Sequence, residues 1–196
     1  MVQLTDNEKK ALLILFKDFT SYHNANSISK KIGISRIGCM KMLKKFEKKE
    51  IVTSKKIGKS IVYKPNLEND YVRDFISFLL SDEANHFKRW KDELKELFKG
   101  GRVVMLYGST ITDYSKARDI DVMIIRKKGE SGEIYEIITE RQKYIPKKIH
   151  VVDLTPEEFL KNVKQRQKAI IDIVKNAIIL FGQNRYVELI KNVTGI

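Results

Sequence analysis

The segments Leu106-Tyr107-Gly108-Ser109 and Asp119-Ile120-Asp121-Val122-Met123-Ile124-Ile125 decide the fold of this chain. Nine residues separate Ser109 from Asp119, and each segment belongs to an apolar run that predicts a β-strand. Because side chains alternate between the two faces of a strand, we expect Asp119 and Asp121 on one face and their apolar neighbours on the other. The glycine lacks a Cβ, so the turn can present backbone N–H groups to a phosphate.

The two aspartates predict a site for metal ions. Two carboxylates on one face repel each other unless a positive charge lies between them. Hard divalent cations such as Mg²⁺ take oxygen ligands and usually keep a substrate phosphate in their coordination shell. A phosphate-binding turn beside a pair of aspartates therefore favours two-metal phosphoryl or nucleotidyl transfer.

The pattern formed by Gly108, Ser109, Asp119 and Asp121 resembles the nucleotidyltransferases of the DNA polymerase β-like superfamily. It is most similar to their small minimal nucleotidyltransferase domains from archaea and bacteria, over about residues 100 to 190. The resemblance implies that Gly108 and Ser109 hold the triphosphate of an NTP, and that Asp119 and Asp121 hold two Mg²⁺ ions. It also implies transfer of a nucleoside monophosphate to a hydroxyl acceptor.

The superfamily usually has a third carboxylate on a later strand. In this chain two residues, His150 and Asp153, compete for that place. In the strand predicted at 149–154, the family pattern places His150 at the expected position, while Asp153 is the only carboxylate nearby. The two have opposite parity, so at most one of them faces the site. We predict Asp153 as the third catalytic residue, and His150 is the alternative group that accepts a proton. Lys116 and Arg118 are the nearest cations to the triphosphate and are predicted to bind nucleotide.

Further elements complete the C-terminal part of the chain. Patterns of apolar residues predict strands at 102–107 and 149–154, and helices over 133–142, after Thr155 and over about 166–180. Strands that alternate with helices indicate an α/β or α+β domain. With the resemblance, we expect an α+β fold with a mixed sheet.

The positive charge of the chain is concentrated in its N-terminal third. The formal net charge is +13, and residues 1–65 hold 15 Lys/Arg against 5 Asp/Glu, whereas residues 66–196 hold 23 against 20. Such asymmetry favours a polyanionic partner for the N-terminal third. A lysine-rich solvated surface is the alternative explanation.

The order of elements in this third predicts a DNA-binding domain. Three helical patterns precede two β-prone runs, 51–54 and 60–63, which Gly58 joins as a hairpin. This order resembles a winged helix-turn-helix domain, with 28–35 as its helix-turn-helix core. The resemblance implies that the third helix and the hairpin wing contact DNA, the residues being Arg36, Lys41, Lys45, Lys55, Lys56 and Lys59. Such cations neutralise phosphates and give affinity rather than sequence choice.

A polar linker and a long helical pattern join the two parts. The linker spans 65–70, and one helix is predicted from about Tyr71 to Lys99, with a bend or break near Ser81-Asp82. We therefore expect a winged helix-turn-helix domain at 1–65, a connecting helix at 66–99 and a nucleotidyltransferase-like domain at 100–196.

Composition excludes several other classes of protein. No apolar run reaches the roughly 20 residues that span a bilayer, and the N-terminus lacks the plan of a signal peptide, so we expect a cytoplasmic protein without a membrane partner. The single cysteine, Cys39, excludes an intramolecular disulfide and a cysteine-built metal cluster.

Three functions remain open at this point. The first is a Mg²⁺-dependent nucleotidyltransferase with a DNA-binding domain. The second is a DNA-binding regulator that senses nucleotide with little or no turnover, since a clear third acid is missing. The third is an antitoxin-type protein partner or a homodimer that uses the long helix as its contact surface.

Overall fold

The computed structural model describes residues 4–194 and divides the chain into two compact units between Leu79 and Leu80. The N-terminal unit contains helices and a two-stranded sheet, and the C-terminal unit contains helices around a four-stranded mixed sheet. The predicted α+β fold class is therefore confirmed. Among the described residues, no helix combines the length and the apolar composition that a bilayer span requires.

The N-terminal unit has the predicted order of three helices and a hairpin. Its elements are α1 (Asp6–Lys17), α2 (Ala25–Ile32), α3 (Arg36–Lys48), β1 (Val52–Ile57) and β2 (Ser60–Pro65). Thr5 and Glu8 form a reciprocal capping box at the start of α1, which satisfies two backbone donors that a helix end leaves open. Gly33 ends α2 in the left-handed conformation, with a φ of 75°.

The long helix predicted from Tyr71 to Lys99 is instead two helices and a 3₁₀ turn. Helix α4 spans Asp70–Asn85, α5 spans Lys88–Glu93, and the 3₁₀ turn spans Lys95–Leu97. The chain breaks at Phe87, whose backbone is not helical. The break thus lies beyond Ser81-Asp82, where it was predicted, and residues on both sides of it, Ala84 and Trp90 among them, pack into one apolar core.

The C-terminal unit is built on a sheet with the strand order β5-β4-β3-β6. The strands are β3 (Val103–Tyr107), β4 (Asp119–Ile125), β5 (Lys148–Leu154) and β6 (Ile178–Phe181). Strand β3 is antiparallel to both β4 and β6, whereas β4 and β5 are parallel. The remaining helices are α6 (Ser131–Gln142), α7 (Pro156–Lys164), α8 (Lys168–Asn176) and α9 (Gln183–Thr194).

Strand β6 replaces the end of the helix that the sequence predicts over 166–180. Helix α8 ends at Asn176, and Ile178–Phe181 pairs with β3 as an edge strand. A Cβ on Gly182 would lie 2.2 Å from the carbonyl oxygen of Arg102, so glycine lets the chain leave β6 close against the start of β3. An apolar run of four residues fits a strand and a helix equally well, and the sheet pairing decides between them.

Candidate functional site

Gly108 has a conformation and a neighbour that exclude other residues. It follows Tyr107, the last residue of β3, with a φ of 77° and a ψ of −162°. A Cβ at this position would lie 2.2 Å from Oδ2 of Asp121. The Asp121 carboxylate therefore packs directly on the backbone of the turn formed by Gly108 and Ser109, hereafter the Gly-Ser turn.

The Gly-Ser turn is also tied to the start of β4. Ser109 opens a single 3₁₀ turn that contains the buried Thr110. The hydroxyl of Thr110 donates a hydrogen bond of 2.8 Å to the carbonyl oxygen of Asp119. This bond joins the end of the turn to the first aspartate across the eight residues between Thr110 and Asp119.

Asp119, Asp121 and His150 form one cluster, hereafter the Asp-Asp-His cluster. Residues 119 and 121 lie two positions apart on β4 and therefore share one face of the sheet. The parallel pairing of β4 with β5 sets His150 beside Asp121. Nδ1 of His150 lies 3.1 Å from Oδ2 of Asp119 and 3.8 Å from Oδ1 of Asp121. One ligand atom from each residue lies within 4.8 Å of the other two.

The electrostatics of the cluster fit a bound cation. Burial raises the pKa of Asp121, the charge of Asp119 raises it further, and His150 opposes the shift. Burial and the charges of the two aspartates also raise the pKa of Tyr107. The negative charge is thus incompletely compensated, and a divalent cation held by oxygen and imidazole donors would neutralise it.

Asp153, predicted as the third catalytic residue, does not join this cluster. It pairs with Ile124 in the register of β4 and β5 and therefore has the opposite parity from His150. Its carboxylate accepts hydrogen bonds from Arg126, Ser131 and Tyr135. Burial alone would raise the pKa of Asp153, but the bonds from Ser131 and Arg126 outweigh it and hold the pKa below its ordinary value. The third group beside Asp119 and Asp121 is His150.

The loop between the Gly-Ser turn and β4 carries the two predicted nucleotide-binding cations. Lys116 is exposed and pairs with Asp113 at 3.2 Å, and Arg118 is exposed. Both side chains are therefore accessible to a ligand.

Lys147 holds this loop, and nothing in the sequence pattern indicated its role. Its Nζ donates to the carbonyl oxygens of Tyr114, Ser115 and Ala117 and lies 4.3 Å from the centre of the Tyr114 ring. Because these contacts join residues about thirty positions apart, periodicity along the chain cannot reveal them.

The predicted DNA-binding cations of the N-terminal unit are all exposed, but they differ in their contacts. A groove of 440 Å³ in this unit is lined by Arg36 and Lys44 of α3, by Lys59 of the hairpin and by other side chains. Lys45 instead pairs with Glu8 of α1 at 2.7 Å, so it points towards α1 rather than into the groove. Of the two neighbouring lysines, Lys45 was predicted from the sequence to contact DNA, whereas Lys44 is the one that lines the groove.

Comparisons with known proteins bear on the C-terminal unit. No curated protein matches the chain. A solved structure of a variant of ZitR from Lactococcus lactis is 19% identical with a TM-score of 0.34, and the match covers 49% of this chain and 61% of that one. The family described as nucleotidyltransferase domain matches residues 87–180. The matched segment contains the Gly-Ser turn and all three residues of the Asp-Asp-His cluster, and over this segment the chain is similar to nucleotidyltransferase domains.

Proposed function

We propose that the protein is a Mg²⁺-dependent nucleotidyltransferase that transfers a nucleoside monophosphate from an NTP to a hydroxyl acceptor. The observation that carries the proposal is the contact between the Asp121 carboxylate and the backbone of Gly108. This contact brings a cation-binding group against a turn suited to phosphate. The family match over residues 87–180 supports the same reaction class.

Each part of the site has a role in this reaction. Backbone N–H groups of the Gly-Ser turn bind the triphosphate, and Asp119 and Asp121 hold two Mg²⁺ ions. The ions, when bound, activate the attacking oxygen and offset the charge of the leaving pyrophosphate. Lys116 and Arg118 are exposed on the adjoining loop and pair with phosphate oxygens as the nucleotide enters. Asp153 takes no part, because Arg126, Ser131 and Tyr135 bind its carboxylate.

Label transfer tests this function. The full chain is incubated with Mg²⁺, α-labelled ATP or another NTP, and a panel of candidate protein and nucleic-acid acceptors. We expect label on one acceptor, and none with the variant that combines Asp119→Ala and Asp121→Ala. Equal labelling by that variant, or no labelling across all nucleotides and acceptors, contradicts the proposal.

A second function, DNA binding by residues 1–65, is favoured by the groove beside α3. Arg36, Lys44 and Lys59 bring three cations to one concave surface, and Met40 and Ile61 also line it and are partly exposed. Cations in a groove between a helix and a hairpin suit a phosphate backbone. With a slow or absent transfer reaction, the protein would be a nucleotide-sensing DNA-binding regulator.

The neighbouring lysines of α3 provide a matched test. Binding to duplex DNA is measured over a range of salt concentrations for Lys44→Ala and for Lys45→Ala. We expect Lys44→Ala to weaken binding several-fold and to lower the salt dependence by about one charge, because it removes a phosphate contact. Lys45→Ala should have a smaller effect, since Lys45 pairs with Glu8. Binding that ignores salt, or equal effects of the two variants, contradicts the assignment.

A further inference from the structure

The Asp-Asp-His cluster differs in one donor from a purely carboxylate site. Asp119 and Asp121 supply oxygen atoms, whereas His150 supplies Nδ1 from the adjacent strand. Imidazole is a softer donor than carboxylate and suits first-row transition ions, while Mg²⁺ is best matched by oxygen ligands alone. The identity of the third donor therefore bears on which ion the site prefers.

The spacing of the donor atoms suits a single ion. Neighbouring ligands of an octahedral ion with bonds of about 2.1 Å lie roughly 3 Å apart. Nδ1 of His150 lies 3.1 Å from Oδ2 of Asp119 and 3.8 Å from Oδ1 of Asp121. Both separations are close to that spacing, so the three donor atoms suit one shared ion.

The surroundings of the cluster leave His150 available. Its side chain is 46% exposed, compared with 31% for Asp119 and 22% for Asp121, so an ion can approach from the imidazole side. His150 forms ion-pair contacts with the two aspartates. On the other side, the backbone of Gly108 fixes the position of the Asp121 carboxylate.

We infer that Asp119, Asp121 and His150 bind a first-row transition ion such as Mn²⁺ in preference to Mg²⁺, with Nδ1 of His150 as a direct ligand. This inference rests on the proposed function and refines its choice of metal: of the two ions that the reaction would use, the one bound by His150 would be a transition ion, and the other can remain Mg²⁺. The two aspartates keep their role as ligands. The preference comes from His150 alone, so substitution of this residue should change the ion that the protein selects.

Manganese binding by the full, untagged chain tests the inference without an activity assay. Free Mn²⁺ is measured by electron paramagnetic resonance during titration and during competition with Mg²⁺, for the native protein, His150→Asp and His150→Ala. We expect His150→Asp to lower the ratio of Mn²⁺ to Mg²⁺ affinity at least about fivefold, because it restores an oxygen donor. His150→Ala should weaken Mn²⁺ binding and affect Mg²⁺ less. The exposed histidine variant His86→Ala is the control and should behave as the native protein does.

The spin echo of bound Mn²⁺ gives a direct readout of the ligand atom. Nitrogen modulation from a coordinated imidazole should be present in the native protein and in His86→Ala, and absent from both His150 variants. Bound Mn²⁺ without nitrogen modulation, an unchanged affinity ratio in His150→Asp, or no Mn²⁺ binding at all overturns the inference. Failure of label transfer with every ion, while the modulation persists, contradicts the proposed function and leaves the metal assignment intact.

Discussion

Strands β4 and β5 carry carboxylates at their two ends, and the pKa shifts at the two ends have opposite directions. At one end, Asp119 and Asp121 lie on the same face of β4 beside the half-exposed His150, and the pKa of Asp121 is raised. At the other end, Asp153 is bound by an arginine and two hydroxyls, and its pKa is lowered. A carboxylate whose charge is already compensated stabilises the fold, whereas a pair left under repulsion can hold a cation.

Removal of the two site carboxylates should have the largest effect on the reaction. The variant that combines Asp119→Asn and Asp121→Asn should lose transfer activity by a factor of about 10² to 10³ or more, because it removes the ligands of the metal ions. Its melting temperature should equal or exceed that of the native protein, since the repulsion between the carboxylates is also removed. Activity is measured by label transfer and stability by thermal denaturation. A folded variant with native activity would contradict the view that Asp119 and Asp121 bind metal ions while Asp153 only stabilises the fold.

Gly108→Ala should come next in size. The new Cβ would meet Oδ2 of Asp121 and would also sit at a positive φ, so the carboxylate has to move. A displacement of about 1 Å in a reacting group lowers the rate by a factor of about 10². Transfer rates are compared with those of Gly129→Ala, which has a φ of 89° and open space around its Cβ. The control should cost about 1 kcal/mol of stability and leave transfer unchanged; equal loss of transfer in both variants contradicts the explanation.

Asp153→Asn should affect stability rather than chemistry. Loss of the charge from a largely buried, hydrogen-bonded carboxylate should lower the free energy of unfolding by about 2 kcal/mol, with transfer activity unchanged. Because folding lowers the pKa of Asp153, its stabilisation is present above the ordinary pKa and is lost as the pH falls through the lowered value. Urea unfolding of both proteins should therefore differ near neutral pH and converge as the pH falls below about 4. A gap that grows in acid has the wrong sign and contradicts this account.

Lys147→Met should have the smallest effect on the reaction. It extends the comparison to a cation that binds backbone carbonyl oxygens and not a carboxylate. Loss of its bonds to the loop of Lys116 and Arg118 should raise the KM for NTP by about threefold to tenfold with a smaller change in kcat. Lys147→Arg should restore part of the affinity, and Lys164→Ala, at an exposed lysine of α7, should have none of this effect. A fall in kcat at constant KM argues against a positioning role for Lys147.

The aspartate pair was predictable because its information is local. The two-residue period of a strand places Asp119 and Asp121 on one face, and a tight turn explains the glycine at 108. Both patterns are short and can be recognised in the sequence. The choice between His150 and Asp153 was not predictable in this way. Parity shows that the two face opposite sides, but only the pairing of His150 with Asp121 shows which one faces the site.

Other differences have the same origin in contacts between distant parts of the chain. Strand β6 is set by its pairing with β3 and by the close approach of Gly182 to Arg102. The difference between Lys44 and Lys45 depends on a partner, Glu8, that lies 37 positions away. The order of elements along the chain is enough to predict the fold class. It does not predict contacts between distant residues, such as the pairing of β6 with β3 or of Lys45 with Glu8.

The bond from the Thr110 hydroxyl to the carbonyl of Asp119 bypasses the loop of residues 112–118. The loop therefore forms one part of the site, and the Gly-Ser turn with the two aspartates forms the other. The turn and the acids are held together by this bond and by the pairing of Tyr107 with Asp121, and neither contact involves residues 112–118. Under the proposed function, substitutions in that loop would alter which nucleotide binds while the Asp-Asp-His cluster keeps its geometry. For the proposed transferase, nucleotide selectivity and the transfer step would then depend on separate stretches of chain, and one could be re-engineered without the other.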